Sequence, residues 1–305
     1  MKIIKSIGII GIGKLGEALT DMFSNKKILS FLLIRNENRK LEIINKFKFL
    51  NPNSPLILQN YNEIPNSFDC LFLTVNDSSI KTVVKELNGT KLDFNSKFII
   101  HCSGLLSSSV MSVLKDKGAI TIAAHPFQTF FNPSRKNFDR IFWGIESSHN
   151  DNVIAPFINL IKSLKSKYFI LNFSSKEQKA LYHLSAVLSS NFISSVLFNA
   201  YEVLKKSGID NIDILVPIVL TTVNNFFGGK GKEFPITGPA IRADITTLEK
   251  HLQSIKNDNQ LTEYYKSVTK SIVLTAFEKN VISKNNLEQV LGFLGEEIIN
   301  SKKIQ

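Results

Sequence analysis

The chain has 305 residues, of which 43% are hydrophobic and 21% charged, a balance that excludes a disordered polypeptide and leaves room for two domains. Its formal net charge is +11, but Lys and Arg are spread along the whole length, and the densest clusters, "NENRK" and "KKIQ", are short and lack interleaved aromatics. That pattern reads as a solvated surface that suits small anions, and it argues against a nucleic-acid partner.

The opening "MKIIKSIGIIGIG" has a basic start and an apolar run, but the run is short, ends in glycines and precedes no cleavage site. No apolar run in the sequence approaches the ~20 residues of a membrane span. Two cysteines, Cys70 and Cys102, are too few for a disulfide framework and point to a reducing compartment. The expectation is a cytoplasmic protein with no membrane partner.

Short apolar runs come first: Ile3–Ile9, Leu29–Ile34, Leu56–Leu58, Cys70–Val75, Phe98–Cys102 and Ala119–Ala123. Amphipathic stretches at Lys14–Asn25, Arg39–Phe47, Ser79–Leu87 and Ser107–Asp116 lie between several of them. Apolar runs without clean alternation suit strands buried on both faces, so the expected fold is α/β, with a doubly wound, Rossmann-like parallel sheet. "RIFWGIES" and "KYFILN" add two strands around a helix at Val153–Leu164.

The texture changes after Phe173. One long helix is expected from "SSKEQ" onward, capped by Ser174 or Ser175 and stopped by Gly208. Further helices are expected at Ile212–Phe227, Pro239–Lys256, Leu261–Glu278 and Asn285–Asn300, with Pro239 in a first turn. The chain therefore divides into a nucleotide-binding domain, residues 1–172, and an all-helical substrate and dimerisation domain, residues 173–305. The apolar length of helices such as Ser271–Phe277 and Val290–Ile299 suggests a homodimer.

Gly11, Gly13 and Gly16 form G-x-G-x-x-G between a strand and a helix. The first glycine permits the tight turn, the second lets backbone approach a pyrophosphate, and the third lets helix and strand pack closely. The helix N-terminus then offers free N–H groups to phosphate. The loop Gly11, Ile12, Gly13, Lys14, Leu15 and Gly16 is thus the expected cofactor cradle. Arg35 and Asn36 end the second strand, where an NAD-binding chain carries an acid; arginine there suits the 2′-phosphate of NADP(H). Val75, Asn76 and Ser103 end later strands and should line the same ligand, with His125 beside the substrate. Cys102 reads as a buried strand residue, since no basic partner is apparent for a nucleophile.

Reduction by a nicotinamide needs a proton donor and a group that holds the substrate. On the long helix Lys176, Lys179, His183 and Asn191 fall within an arc of about 120° at ~100° per residue. Lys179 and His183, one turn apart, are alternative proton donors, and Asn191 is placed to orient a carbonyl. Arg242 in "TGPAIRAD" suits a substrate carboxylate, and Asp244 suits orienting Lys179 or His183. No cluster suggests a metal.

The runs "GIIGIGKLGEAL", "HCSG", "HPFQTF", "YHLSAVLSSNF" and "TGPAIRAD", in this order, resemble a family of Rossmann-like NADP-dependent oxidoreductases with a C-terminal domain of the DUF2520 type. The resemblance covers nearly the whole chain. It places the protein near pyrroline-5-carboxylate reductases, ketopantoate reductases and 6-phosphogluconate-dehydrogenase-like proteins. In that wider set a Lys-x-x-x-Asn pair often does the proton chemistry; here His183 stands in the Asn place, and Ala243 stands where glycine is expected. One group in the family looks like an atypical ketopantoate reductase. The resemblance therefore implies reduction of a 2-oxo acid, 2-dehydropantoate first, with a cyclic-imine reductase and a non-catalytic NADP(H) sensor as alternatives.

Overall fold

The computed structural model describes residues 3–49, 54–231 and 233–295. The chain separates into two compact units, Met1–Ile193 and Ser194–Gln305. The first unit runs past the expected domain end at residue 172, because the start of the long helix packs on its sheet through Lys179 and Tyr182.

The first unit holds strands β1 (Ile7–Ile10), β2 (Leu29–Leu33), β3 (Leu56–Leu58), β4 (Cys70–Leu73), β5 (Phe98–His101), β6 (Ile120–Pro126), β7 (Phe142–Ser147) and β8 (Lys167–Ile170). They form one sheet in the order β3-β2-β1-β4-β5-β6-β7-β8. Strands β1 to β6 pair in parallel, β7 runs antiparallel to β6, and β8 is parallel to β7. The helices between them are α1 (Lys14–Asn25), α2 (Glu37–Phe47), α3 (Asp77–Asn88), the single turn α4 (Ser112–Lys115) and α5 (Asp151–Ser163). The helix expected at Ser107–Asp116 is mostly a 3-10 turn, Ser108–Met111, followed by α4.

Strand alternation sorts the side chains. Phe72, Ile100, Ile122, Ala124, Trp143 and Ile145 enter a core with α1 and α5, whereas Leu71, Leu73 and Ile99 pack with α3 on the other face. Both faces are covered, which is why these strands lack a polar side. Cys70 and Cys102 are buried and form no disulfide, and burial pushes the Cys102 thiol up.

Helix α6 (Lys176–Val187) begins at Ser175, whose hydroxyl accepts from the Gln178 N–H. It continues through a π-helical turn, Leu188–Phe192, into α7 (Ile193–Lys206). Gly208 stops the run at φ +90, with the Ile209 N–H reaching back to Leu204 O. By length and composition Lys176–Lys206 could cross a membrane, a helix the apolar-run reading overlooked because its polar residues are interspersed. Its start is tied to the sheet by ion pair and hydrogen bond.

The second unit holds α7, α8 (Leu215–Gly228), α9 (Ile245–Ile255), α10 (Asn259–Glu278) and α11 (Lys284–Phe293). Leu248, Val273, Ala276, Val290 and Leu291 form its small core. In α7 and α8 no residue is buried, although α8 reads "LVPIVLTTVNNFFG". The helix expected from Pro239 starts at Ile245 instead, because Ala243 takes a left-handed φ of +51 and residues 239–243 form turns. The stretch expected to carry the last helix to Asn300 extends outside the described residues.

Candidate functional site

Gly11 and Gly16 have the turn and the close approach that a phosphate cradle needs. Gly11 has φ +91, and a Cβ there would stand 2.5 Å from Val75 Cγ1. A Cβ on Gly16 would collide with the Gly11 carbonyl oxygen and with Thr74 Oγ1, which itself donates to that carbonyl. Gly13 is different. It is exposed, and a Cβ there would meet nothing closer than Thr74 O at 4.0 Å. Gly13 is also the N-cap of α1 and provides no side-chain cap, which leaves the first-turn N–H groups free for an anion.

Behind this loop lies a network the motif does not reveal. Glu17 is buried and ion-paired to both Arg39 and Lys46. Burial works against its charge, but the two cations prevail and hold the carboxyl below its ordinary range. Arg39 also donates through Nε to the Ile12 carbonyl at 2.9 Å. It braces the loop from α2. Lys40 pairs with Glu37 at 3.1 Å. Arg35 is exposed just beyond β2, and Asn36 caps α2 by accepting the Arg39 N–H at 2.9 Å.

At the carboxyl edge of the sheet, Val75 is packed against Gly11, and Asn76 is the exposed N-cap of α3. Ser103 is buried, and its Oγ accepts the N–H groups of Leu105 and Leu106 at 3.1 and 3.0 Å. The hydroxyl therefore shapes the turn after β5.

The antiparallel turn of β7 builds the rest. Cross-strand pairing sets His125 opposite Gly144 and Ala123 opposite Glu146. All four point away from the Trp143–Ile145 core, so His125 and Glu146 share one face. Helix α6 meets that face with Lys179, Tyr182 and His183, spaced i, i+3, i+4. Lys179 forms an ion pair with Glu146, which also accepts Ser107 Oγ at 2.5 Å and the Ser108 N–H at 3.0 Å. These donors outweigh burial and hold the Glu146 carboxyl below its usual range. His101, wholly buried, faces Ser107 O through Nε2 at 3.1 Å, and burial pushes it down to about 4. His125 and His183 stand with ring centroids 6.0 Å apart.

A cavity of 790 Å³ opens beside the ion pair, lined by Lys81, Ser107, Glu146, Phe173, Lys176 and Lys179 among others. Its size suits a small ligand.

The expected residues are thus brought together unequally. Lys179, His183 and His125 converge, but Asn191 is exposed in the π-helical turn, its Oδ1 accepting from Ser190 at 2.8 Å. The extra residue of that turn breaks the ~100° spacing on which the common arc rested. Asp244, in the second unit, caps α9 by accepting the Thr247 N–H at 3.1 Å and Oγ1 at 2.7 Å. Arg242 lies in the preceding turns. Glu146 and Tyr182 escaped the sequence reading; the i+3 spacing of Tyr182 from Lys179 was the one available signal. No group of three or more His, Cys, Asp or Glu among the described residues is placed to hold a metal.

BF3122 of Bacteroides fragilis, named as a candidate NADP oxidoreductase, has a similar structure: TM-score 0.70, 23% identity, 88% of this chain and 98% of that one. Protein TM1727 of Thermotoga maritima superposes at TM-score 0.59 with 23% identity over 90% of this chain and 99% of that one. A reductive aminase of Aspergillus terreus, in complex with NADPH and ethyl-5-oxohexanoate, gives TM-score 0.66 at 10% identity over 96% and 100%. These likenesses concern the fold. No curated protein matches the sequence. Residues 2–126 match the Rossmann-like domain and residues 141–272 match the domain of unknown function DUF2520. The chain is a Rossmann-like domain joined to a DUF2520 domain.

Proposed function

We propose that this protein is an NADPH-dependent reductase of a small 2-oxo acid, with 2-dehydropantoate the first substrate to test. The observation that carries the reading is the cavity lined by Lys81, Lys176 and Lys179 together with Glu146 and Glu177. With Lys179 paired to Glu146, Lys81 and Lys176 are the lysines that suit a substrate carboxylate. The open backbone at Gly13 and the uncapped start of α1 fit a dinucleotide pyrophosphate. Arg35, exposed and ahead of any acid, fits a 2′-phosphate. NADP oxidoreductase and NADPH in the names of similar folds agree with that cofactor.

NADPH supplies a hydride when bound. The chain's own residues do the rest. Lys179, paired with Glu146, is one proton donor to the nascent alkoxide; His183, beside His125, is the other. Lys176 or Lys81 holds the carboxylate. The bare helices α7 and α8 support a homodimer in which a second copy covers them.

NADPH oxidation followed against 2-dehydropantoate, other 2-oxo acids and pyrroline-5-carboxylate tests this directly. Turnover of a 2-oxo acid is the expected result. Turnover of the imine alone assigns the alternative reductase, and tight NADPH binding without turnover assigns a sensor.

A further inference from the structure

Tyr182 is held with more care than packing requires. Its ring is enclosed by Phe127, Phe169 and Phe173, with centroid distances of 5.4, 6.1 and 5.7 Å. Its hydroxyl passes over Gly144, where a Cβ would stand 2.5 Å from the oxygen. It then reaches His125 Nδ1 at 2.9 Å. Gly144 is the cross-strand partner of His125, so the bare position lies where the phenol must pass.

The other edge of the imidazole meets a second bare position. A Cβ on Gly104 would stand 3.0 Å from His125 Nε2 and 2.7 Å from His183 Cδ2. Both imidazoles converge above this glycine, in the turn that follows β5. Two glycines thus flank one histidine: one admits its hydrogen-bond partner, the other lets its distal nitrogen and the His183 ring approach the backbone.

The direction of the Tyr182 hydrogen bond follows from acidity. A phenol O–H is a stronger acid than the N–H of a neutral imidazole, and a bare imidazole nitrogen is a stronger base than a phenol oxygen. The hydroxyl therefore donates to Nδ1, and the ring proton sits on Nε2.

We propose that Tyr182 is a positioning residue that fixes His125 as its Nε2–H tautomer, and that His125 presents this N–H to the oxygen of the substrate carbonyl. The assignment rests on the reductase reading for its substrate half only. Burial and the neighbouring His183 push His125 down to about 4, so the ring stays neutral at neutral pH. It acts as a fixed donor that polarises the carbonyl and stabilises the charge that develops there. Delivery of the proton remains with Lys179 or His183.

The test uses the full chain. Side-chain 15N NMR, with the His125 signals assigned by loss in His125→Asn, reports the tautomer without any substrate. Nε2 protonation in the wild type and a mixture of tautomers in Tyr182→Phe are expected. Nδ1 protonation in the wild type, or an unchanged tautomer in Tyr182→Phe, overturns the positioning role. With a substrate in hand, His125→Ala should lower kcat by about 100-fold, the scale for losing one such donor. Tyr182→Phe should lower it by about 10-fold, with KM for NADPH unchanged in both. An unchanged kcat in His125→Ala overturns the donor role. Absence of turnover on every carbonyl compound sinks the reductase reading and with it the donor role, while the spectra still decide the tautomer.

Discussion

Lys179 meets Glu146 in an ion pair on the sheet face opposite the main core, with 6% and 19% of the two side chains exposed. Lys179 is the single buried residue of α6, and its burial is tolerable because the carboxylate compensates the charge. The pairing fixes where the lysine head group stands.

Glu146→Gln should leave Lys179 as a buried cation without its counter-ion. A loss of about 3 kcal/mol is expected from breaking such a pair, read from urea melts at neutral pH. The double variant Glu146→Gln/Lys179→Met should recover most of it. The Glu146 carboxyl is depressed in the folded state, so its contribution is present above the ordinary carboxylate range and is lost as pH falls through the folded value. Glu146→Gln should therefore flatten the acid limb of the stability profile below about pH 4. An acid limb identical to wild type would show that the pair contributes no such linkage.

The two buried histidines set a separate window. His101 and His125 are each pushed down to about 4, chiefly by burial. Unfolded histidine takes up its proton near pH 6.5, so the unfolded state binds protons first. Stability should be full above about pH 6.5 and fall progressively as pH drops toward 4. Urea midpoints collected across that range should decline in the wild type and decline less steeply in His101→Gln.

Arg35 and Arg39 should separate in their effects on cofactor use. Arg35→Asp should raise KM for NADPH by about 10- to 100-fold, the range for losing a charge-assisted contact, and leave NADH nearly unaffected. Arg39→Met should raise KM for both cofactors, because Arg39 acts through the Ile12 carbonyl and Glu17. Steady-state kinetics with the two nucleotides distinguishes a phosphate-reading residue from a loop-bracing one.

Helix α8 offers the test of assembly. Ile218 is 65% exposed on a helix with no buried residue. Ile218→Asp should shift the mass in analytical ultracentrifugation from dimer to monomer, while the tautomer and cofactor affinity of the first unit persist. A wild-type chain that is monomeric at micromolar concentration would remove the dimer from the proposed function.

Much of the first unit was legible in the sequence because its constraints are local. Gly11 and Gly16 were readable since a turn needs positive φ and a close approach leaves no space for Cβ. Ser175 and Gly208 were readable as helix ends, and Lys179 and His183 as one helical face. Glu146 was not, because its role depends on β7 running antiparallel beside β6, and strand direction is a tertiary fact. Gly144 and Gly104 are silent for the same reason: what a glycine leaves room for is named only by the residue that fills the space. The reading of Asp244 as a site residue competed with a capping role that any aspartate before a helix can take.

The bare apolar surface of α8 carries a consequence for handling the chain. If a second copy covers it, the folded state is bimolecular, and its midpoint of denaturation must rise with the logarithm of protein concentration. Dilution becomes a denaturant in its own right. A freshly made chain is most vulnerable before it meets its twin, when its stickiest helix is in water and aggregation competes with pairing.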